Sequence, residues 1–456
     1  MVQRICANEE FSSIRLGDRR LDARFLKVME KLLDTPTASI NSSMGSWCEA
    51  KAAYRLFANK ELTTEKILNA HRREALKRIA NEKEVLVVQD TTMLVYTSHT
   101  KTQGLGVIAM GGRGKFSKGV FVHTAYILNE KGVPQGILDQ LIWGRTETQE
   151  EKLLIKKESD KWIRNLRYGK EIKKINTEGK IVYVCDREAD IWDLMSEIQK
   201  QKSEFVIRSK TPKSIVRYAK NSKLVGEYKL EIEVSKKNGE TKYHQERKKQ
   251  EIIFEIKIGK MDLSKSNYNH NEQRSKELEI YLVTAQEKTP PTDREELKWI
   301  LKTNRPIKSL EEASRIIEIY KNRWKIESFH KILKSGCQVE RTRLAEADRI
   351  KKYLTAMMVV AWRLHFVTMI NKLEIDEDCT MVLSEGEWKA LYCKIHRTKI
   401  TPQKPPTLKQ AIRWIAQLGG FLARKGDGDP GIVTIWRGWN KLTELSEFYE
   451  IFSSTS

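Results

Sequence analysis

The chain has 456 residues, with 83 Lys and Arg against 61 Asp and Glu, a formal charge of +22 and a pI of about 9.5. An excess of that size points to a polyanion as partner, and the membrane alternative is weak: the longest apolar stretch, Tyr353 to Trp362, is too short to span a bilayer. The cysteines at 6, 48, 185, 337, 379 and 393 form no Cys-x-x-Cys pair, so neither a zinc site nor a disulfide framework is argued, and Arg4, Glu9 and Glu10 stand where a secretory leader would be apolar, which leads us to expect a cytoplasmic protein.

Residues 1 to 62 read as a compact helical domain. Leu16-Gly17-Asp18 precedes a basic helix from Arg19 to Leu33, in which Arg20 and Arg24 share a face. A polar loop, Thr35 to Ser46, leads to a second helix, Trp47 to Phe57, which carries Tyr54-Arg55. Basic helices joined by a small polar loop suit DNA contact. Leu62 to Asn81 is a further helix.

The period then changes. Glu84 to Gln89 is a short run of β-formers ending at Asp90. After a Gly-rich stretch, Gly104 to Gly114, strands at Val120 to Leu128 and Gly136 to Trp143 flank the turn Asn129-Glu130-Lys131-Gly132. A helix follows from about Gln149 to Tyr168. Ile181 to Cys185 is a fully apolar strand that ends at Asp186, with helix Ile191 to Gln199 and strand Phe205 to Ile207 behind it. From about 211 to 300 the character is different: Tyr228 to Val234, Ile252 to Ile258 and Leu278 to Thr284 alternate apolar and polar, as half-exposed antiparallel strands do. They read as a β-rich insertion with a basic loop, Lys236 to Lys249. Leu297 to Lys302, containing Trp299, returns from it. Ile316 to Leu344 reads as one long helix. At about 100° per residue, Tyr320, Arg323, Glu327 and Lys334 fall within about 60° of one another on it, while Ile326, Phe329 and Leu333 form a core face. The chain stays helical to about Lys372. Asp376 to Glu387 is acidic and linker-like, and the tail carries Leu408 to Leu418, Gly419-Gly420 and a Trp-rich end from Trp436 to Tyr449.

The candidate chemistry lies in three carboxylates: Asp90 and Asp186, each closing a buried strand, and Glu327 on a later helix. Converging carboxylates beside apolar strands need a counter-charge. An all-oxygen set without Cys or His favours a hard divalent ion, Mg²⁺ or Mn²⁺, and two such ions suit in-line phosphoryl transfer. Glu188, Asp190 and Asp139 are competing carboxylates given structural roles.

The order of strand with Asp, hairpin, helix, strand with Asp and later helix with Glu resembles the ribonuclease-H-like fold of DDE transposases and integrases. Tyr320-x2-Arg323-x3-Glu327-x6-Lys334 resembles the Y-R-E-K signature of the insertion-sequence-four family of bacterial transposases, and Val184 to Asp190, Phe205 to Lys210 and Leu418 to Phe421 are similar to that family too. The resemblance implies an α/β ribonuclease-H-like catalytic domain (63–372) with an inserted antiparallel β subdomain, between a helical N-terminal end-binding domain (1–62) and a helical C-terminal dimerisation domain (373–456). It implies that Asp90, Asp186 and Glu327 are catalytic and bind two Mg²⁺ ions, with Mn²⁺ tolerated. Tyr320, Arg323 and Lys334 would hold phosphates, Trp299 would stack on a flipped base, and Arg208 and Lys210 would touch DNA near the cut. Arg20, Arg24, Tyr54 and Arg55 would bind the terminal inverted repeats. The implied partners are double-stranded DNA, as transposon end and as target, and a second copy of the chain. The implied activity is cut-and-paste transposition through nicking, hairpin formation, hairpin opening and strand transfer. A transposase-derived DNA-binding repressor and a ribonuclease-H-like nuclease without strand transfer are the alternatives.

Overall fold

A computed structural model describes residues 6–110, 116–144, 159–210, 213–235, 247–263, 277–292, 295–370, 378–424 and 426–453. In chain order its longer helices and its strands are α1 (Arg19–Asp34), α2 (Trp47–Ala58), α3 (Thr64–Arg78), β1 (Glu84–Val95), β2 (Gly106–Met110), β3 (Phe116–Asn129), β4 (Pro134–Trp143), α4 (Gly169–Ile175), β5 (Lys180–Cys185), α5 (Trp192–Lys200), β6 (Glu204–Arg208) and α6 (Lys213–Lys220). Then come β7 (Lys223–Ser235), β8 (Arg247–Leu263), β9 (Leu278–Glu287), β10 (Lys298–Thr303), α7 (Leu310–Lys321), α8 (Trp324–Lys331), α9 (Ala347–Ile370), α10 (Glu385–His396), α11 (Leu408–Leu418) and α12 (Ile432–Ser453). Two compact units result, one of residues 1–81, 91–154 and 326–456, the other of 82–90 with 155–325.

The second unit is built on a sheet. β1 pairs β5 in parallel and β5 pairs β6 in parallel. The core positions Val85 to Val88 and Ile181 to Cys185 are all buried, because a parallel sheet covered on both faces needs continuous apolar runs. β10 then joins β6 antiparallel, and β9, β8 and β7 follow in antiparallel order. The expected β subdomain is therefore no separate body: its strands extend the edge of the core sheet. Backbone donors on β6 that would otherwise lie at an edge are taken up by β10. Of the basic loop expected at Lys236 to Lys249, residues 236–246 lie outside the described residues, and Arg247 to Lys249 belong to β8.

In the first unit the hairpin β3–β4 is closed by Asn129, whose Oδ1 accepts from the N–H groups of Lys131 and Val133. Gly132 there has a φ of 75°, a conformation open to glycine at little cost. Helix α9 is apolar and long enough to cross a bilayer, yet all of its apolar window is buried, as befits a core helix. Where α11 and α12 cross, a Cβ on Gly438 would lie 1.6 Å from the carbonyl oxygen of Ile415, so only glycine permits the approach.

Four further sequence expectations change. β1 does not stop at Asp90 but continues through Thr91 to Val95, a run of β-forming residues. Of the helix expected at 149–168, residues 149–158 lie outside the described residues, and the remainder forms a short helix, Asp160–Arg164, and a 3-10 turn, Asn165–Tyr168. The acidic stretch before Glu387 is not all linker: Ser384 and Glu387 form a capping box that starts α10. The single helix from 316 to 344 is broken, as described below.

Candidate active site

The register of the second unit's sheet brings two carboxylates side by side. Gln89 on β1 faces Cys185 on β5. Asp90 and Asp186 are the residues that follow this last registered pair, Asp90 still within β1 and Asp186 just past the end of β5, where it caps the 3-10 turn Arg187–Ala189. Residues before them are buried, whereas both aspartates are half-exposed. Burial pushes the Cys185 thiol well up, and the negative charges of Asp90 and Asp186 add to that shift. Gln89 is held by Asn165, whose Nδ2 donates to its Oε1 at 2.6 Å inside the unit. The sequence reading missed Asn165, because a lone Asn near a helix carries no spacing signal.

Around Asp186 stands an aromatic and cationic wall. The Tyr320 hydroxyl donates to Asp186 Oδ1 at 3.4 Å, and the Arg187 N–H donates to the same oxygen at 2.7 Å. Burial pushes the Tyr320 hydroxyl up to about 12, with Asp186 reinforcing the shift and Arg323 and Arg208 opposing it. That keeps Tyr320 protonated and a hydrogen-bond donor at neutral pH. The Arg323 guanidinium lies 4.9 Å from the centre of the Trp324 ring and 5.9 Å from that of Tyr320. Trp299, expected to stack on a base, is only 2% exposed. Its ring stacks on Phe254 at 5.7 Å and meets Tyr320 and Trp324 at 5.6 Å each. A base reaches it only if that cluster opens. Trp324 is the residue the sequence reading passed over here; its place beside Arg323 was the available signal.

Asp190, four residues beyond Asp186, is different. It is buried and receives the Lys302 ammonium at 2.7 and 2.8 Å, together with the Lys210 N–H at 2.8 Å and the Ser209 hydroxyl at 3.3 Å. The structural role expected for it holds, and its bonds fix the turn that carries Lys210, whose side chain is exposed, just past half-exposed Arg208.

The expected continuous helix through Tyr320 and Lys334 is interrupted twice. At its first break Asn322 N donates to Ile319, Arg323 N to Tyr320 and Lys325 N to Asn322, which are three-residue steps of a tighter turn. At the second, Cys337 N donates to Ile332, a five-residue step, in the π-turn Ile332–Gly336. The stripe calculated at a constant 100° therefore does not hold: tight and wide turns each reset the rotation. In the first unit, Glu327 is half-exposed on α8, whose Ile326 and Phe329 are fully buried as expected. Phe329 stacks on Tyr126 of β3 at 4.7 Å, and the Tyr126 hydroxyl pairs with His365 at 3.0 Å, which sets the rotation of Glu327. Lys334 is half-exposed on the π-turn. Burial drives the His330 imidazole down to about 3, and Lys334 adds to this, so His330 is neutral.

Near the N-terminus, Asp18 caps α1 by accepting from Arg20 N at 2.8 Å, and Asp22 accepts from Leu16 N at 2.7 Å. The Leu-Gly-Asp motif is thus a helix start. Arg20, Arg24 and Arg55 are exposed and Tyr54 is half-exposed. Trp47, opening α2, is 73% exposed and was not singled out by its sequence context.

Whether this chemistry suits a metal can be tested on the donor set. Asp90 and Asp186 offer only carboxylate oxygens, the ligands of a hard divalent ion. Among the described residues, no group of three or more His, Cys, Asp or Glu side chains is gathered closely enough to hold an ion unaided. The aspartate pair fits an ion that also takes oxygen ligands from water or phosphate.

Three family models match in succession: "Transposase DNA-binding" over residues 4–62, "Transposase DDE domain" over 168–363 and "Transposase Tn5 dimerisation domain" over 359–454. The chain is a DDE transposase. Asp186, Arg208, Lys210, Trp299, Tyr320, Arg323, Glu327 and Lys334 fall inside the catalytic match and Asp90 precedes it. The transposase is a metal-dependent enzyme that cleaves DNA and transfers strands, with a ribonuclease-H-like core. The other two matches give it DNA and a second copy of itself as partners, in the manner of a Tn5-like transposase.

Proposed function

We propose that this transposase works by cut-and-paste and belongs with the insertion-sequence-four type, with Asp90, Asp186 and Glu327 as its catalytic carboxylates. The observation that carries the reading is the placement of Asp90 and Asp186 directly after the last registered pair, Gln89 and Cys185, of two neighbouring parallel strands. Two Mg²⁺ ions held by the three carboxylates, with Mn²⁺ as a substitute, would activate water and stabilise the charge on the phosphate under attack.

In this reading water attacks a phosphodiester at the transposon end. The P–O3′ bond breaks, and the departing 3′ oxygen takes up a proton. That 3′-OH next attacks the opposite strand to form a hairpin, water opens the hairpin, and the 3′-OH finally attacks target DNA. Each step exchanges one P–O bond for another, so one set of carboxylates serves all. Tyr320 keeps its proton and donates to Asp186, orienting that carboxylate. Arg323 and Lys334 supply positive charge for the phosphates, Arg as a fork and Lys as a point charge. Arg208 and Lys210 extend the contact along the cut strand. Trp299 backs the cluster of Tyr320 and Trp324 and takes a flipped base when that cluster opens. Arg20, Arg24, Tyr54 and Arg55 read the terminal inverted repeats, and the protein acts in the cytoplasm on the bacterial nucleoid.

The test uses purified protein, Mg²⁺ and DNA carrying terminal inverted repeats sought in the sequence on either side of the gene. Nicks, hairpins and joined products are expected in that order, and Glu327→Ala should abolish all three while leaving end binding intact. Normal cleavage by the Glu327→Ala protein would overturn the assignment.

A further inference from the structure

We propose that the surface formed by the end of α10, the loop after it and the start of α11 is a sequence-independent holding site for the target duplex. This rests on the reading of the chain as a strand transferase. From Trp388 to Gly426 the sequence contains nine Lys or Arg and no Asp or Glu, in a chain that elsewhere mixes both signs. Four of the nine do not belong to the surface: Lys389 pairs with Glu385, Arg424 with Asp427, Arg413 donates to the carbonyls of Ala423 and Gly428, and Lys425 lies outside the described residues. The remaining five, Lys394, Arg397, Lys399, Lys404 and Lys409, are all exposed, and among the described residues no carboxylate stands within ion-pair distance of any of them.

Aromatic contacts brace their platform. The rings of Tyr392 and His396 of α10 lie 4.2 Å apart, tilted by 34°, and Trp414 of α11 meets His396 edge-on at 5.0 Å and Tyr392 at 5.8 Å. Arg397 holds a left-handed conformation, φ 52°, and turns the chain out of the helix so that Lys399 and Lys404 follow on an exposed loop. Five unpaired cations on one braced segment suit the phosphates of a duplex, whose binding releases counterions and falls steeply with salt. Lysines without base-reading partners place a backbone but carry no sequence information. That is what a target requires, whereas an end must be read, and the match to a DNA-binding family model lies elsewhere, at residues 4–62.

The test is a full-length variant with Lys394→Glu, Lys399→Glu, Lys404→Glu and Lys409→Glu, and with Arg397→Asn, since Asn tolerates the left-handed backbone. End cleavage should stay within about twofold, and strand transfer into a plasmid should fall about tenfold or more, with part of the loss recovered at low salt. A parallel Lys→Gln series should show a smaller loss and a salt slope shallower by about 0.9 for each phosphate contact removed; it carries the test if the Glu variant fails to assemble on paired ends. Equal loss of cleavage and transfer would overturn the proposal in favour of an end-binding or dimer surface, and unchanged transfer would show a merely solvated face. Absence of transfer by the unsubstituted protein would instead overturn the strand-transferase reading on which the proposal rests.

Discussion

Asp186 and Asp190 sit four residues apart at the end of one strand, yet their surroundings are opposites. Asp190 is buried against the Lys302 ammonium and two further donors. Asp186 is half-exposed, its donors are a hydroxyl and a backbone N–H, and among the described residues no cation lies within ion-pair distance of it. A buried charge must be matched inside the protein, because leaving it unpaired costs several kcal/mol. A carboxylate facing outward can wait for its counter-charge. The contrast separates a residue that holds the fold from one placed to receive a cation. Glu10 of the first unit repeats the first case: it takes Arg78 at 2.8 and 2.9 Å and His71 at 2.5 Å.

The largest effect should come from Asp186→Ala or Asp90→Ala. Cleavage should drop by about three orders of magnitude or more, while the denaturant midpoint moves little; a midpoint that collapses with activity would erase the distinction from Asp190. Next, Lys302→Met should lower stability by about 3–5 kcal/mol in urea unfolding. Adding Asp190→Asn to it should restore much of the loss, and a double variant as unstable as the single one would argue that the pair is not the cause.

Acid should separate the two kinds of carboxylate as well. Burial alone would raise Glu10, but Arg78 and His71 overcome it and bring the carboxyl down from 4.5 to about 2. A depressed folded value means stability that is complete above about pH 4.5 and is lost as pH falls toward 2, roughly 3 kcal/mol if nothing else compensates. Glu10→Gln should be less stable at neutral pH and flatter through that window; parallel acid-unfolding curves would refute the account. The smallest change is Tyr320→Phe. It removes one 3.4 Å hydrogen bond to Asp186, so cleavage should slow by about tenfold or less with stability altered by about 1 kcal/mol, and an unchanged rate would show that Tyr320 does not orient the carboxylate.

Much of this was legible in the residues. Continuous apolar runs at Val85 to Val88 and Ile181 to Cys185 announced buried strands, because a parallel sheet covered on both faces admits few polar positions. Asp90 and Asp186 stood out as charges closing those runs. The capping Asp18 and the turn at Asn129 were likewise written locally, since a cap or a turn is a contact over two to four residues.

What the residues did not contain was long-range. Nothing local marks Lys302 as the partner of Asp190, 112 positions away, until β10 is laid beside β6. No periodicity reveals that the insertion's strands continue the core sheet, because alternation states which face is wet and not which edge a strand joins. Helical spacing placed Tyr320, Arg323, Glu327 and Lys334 on one regular stripe, but the backbone tightens at Asn322 and widens at Ile332. The sequence by itself determined the apolar strand runs, the aspartates that close them and the basic surface, since these follow from residue type and short-range periodicity. Tertiary structure alone decided which charges are neutralised inside and which stay exposed, because burial and pairing are properties of neighbours distant in the chain.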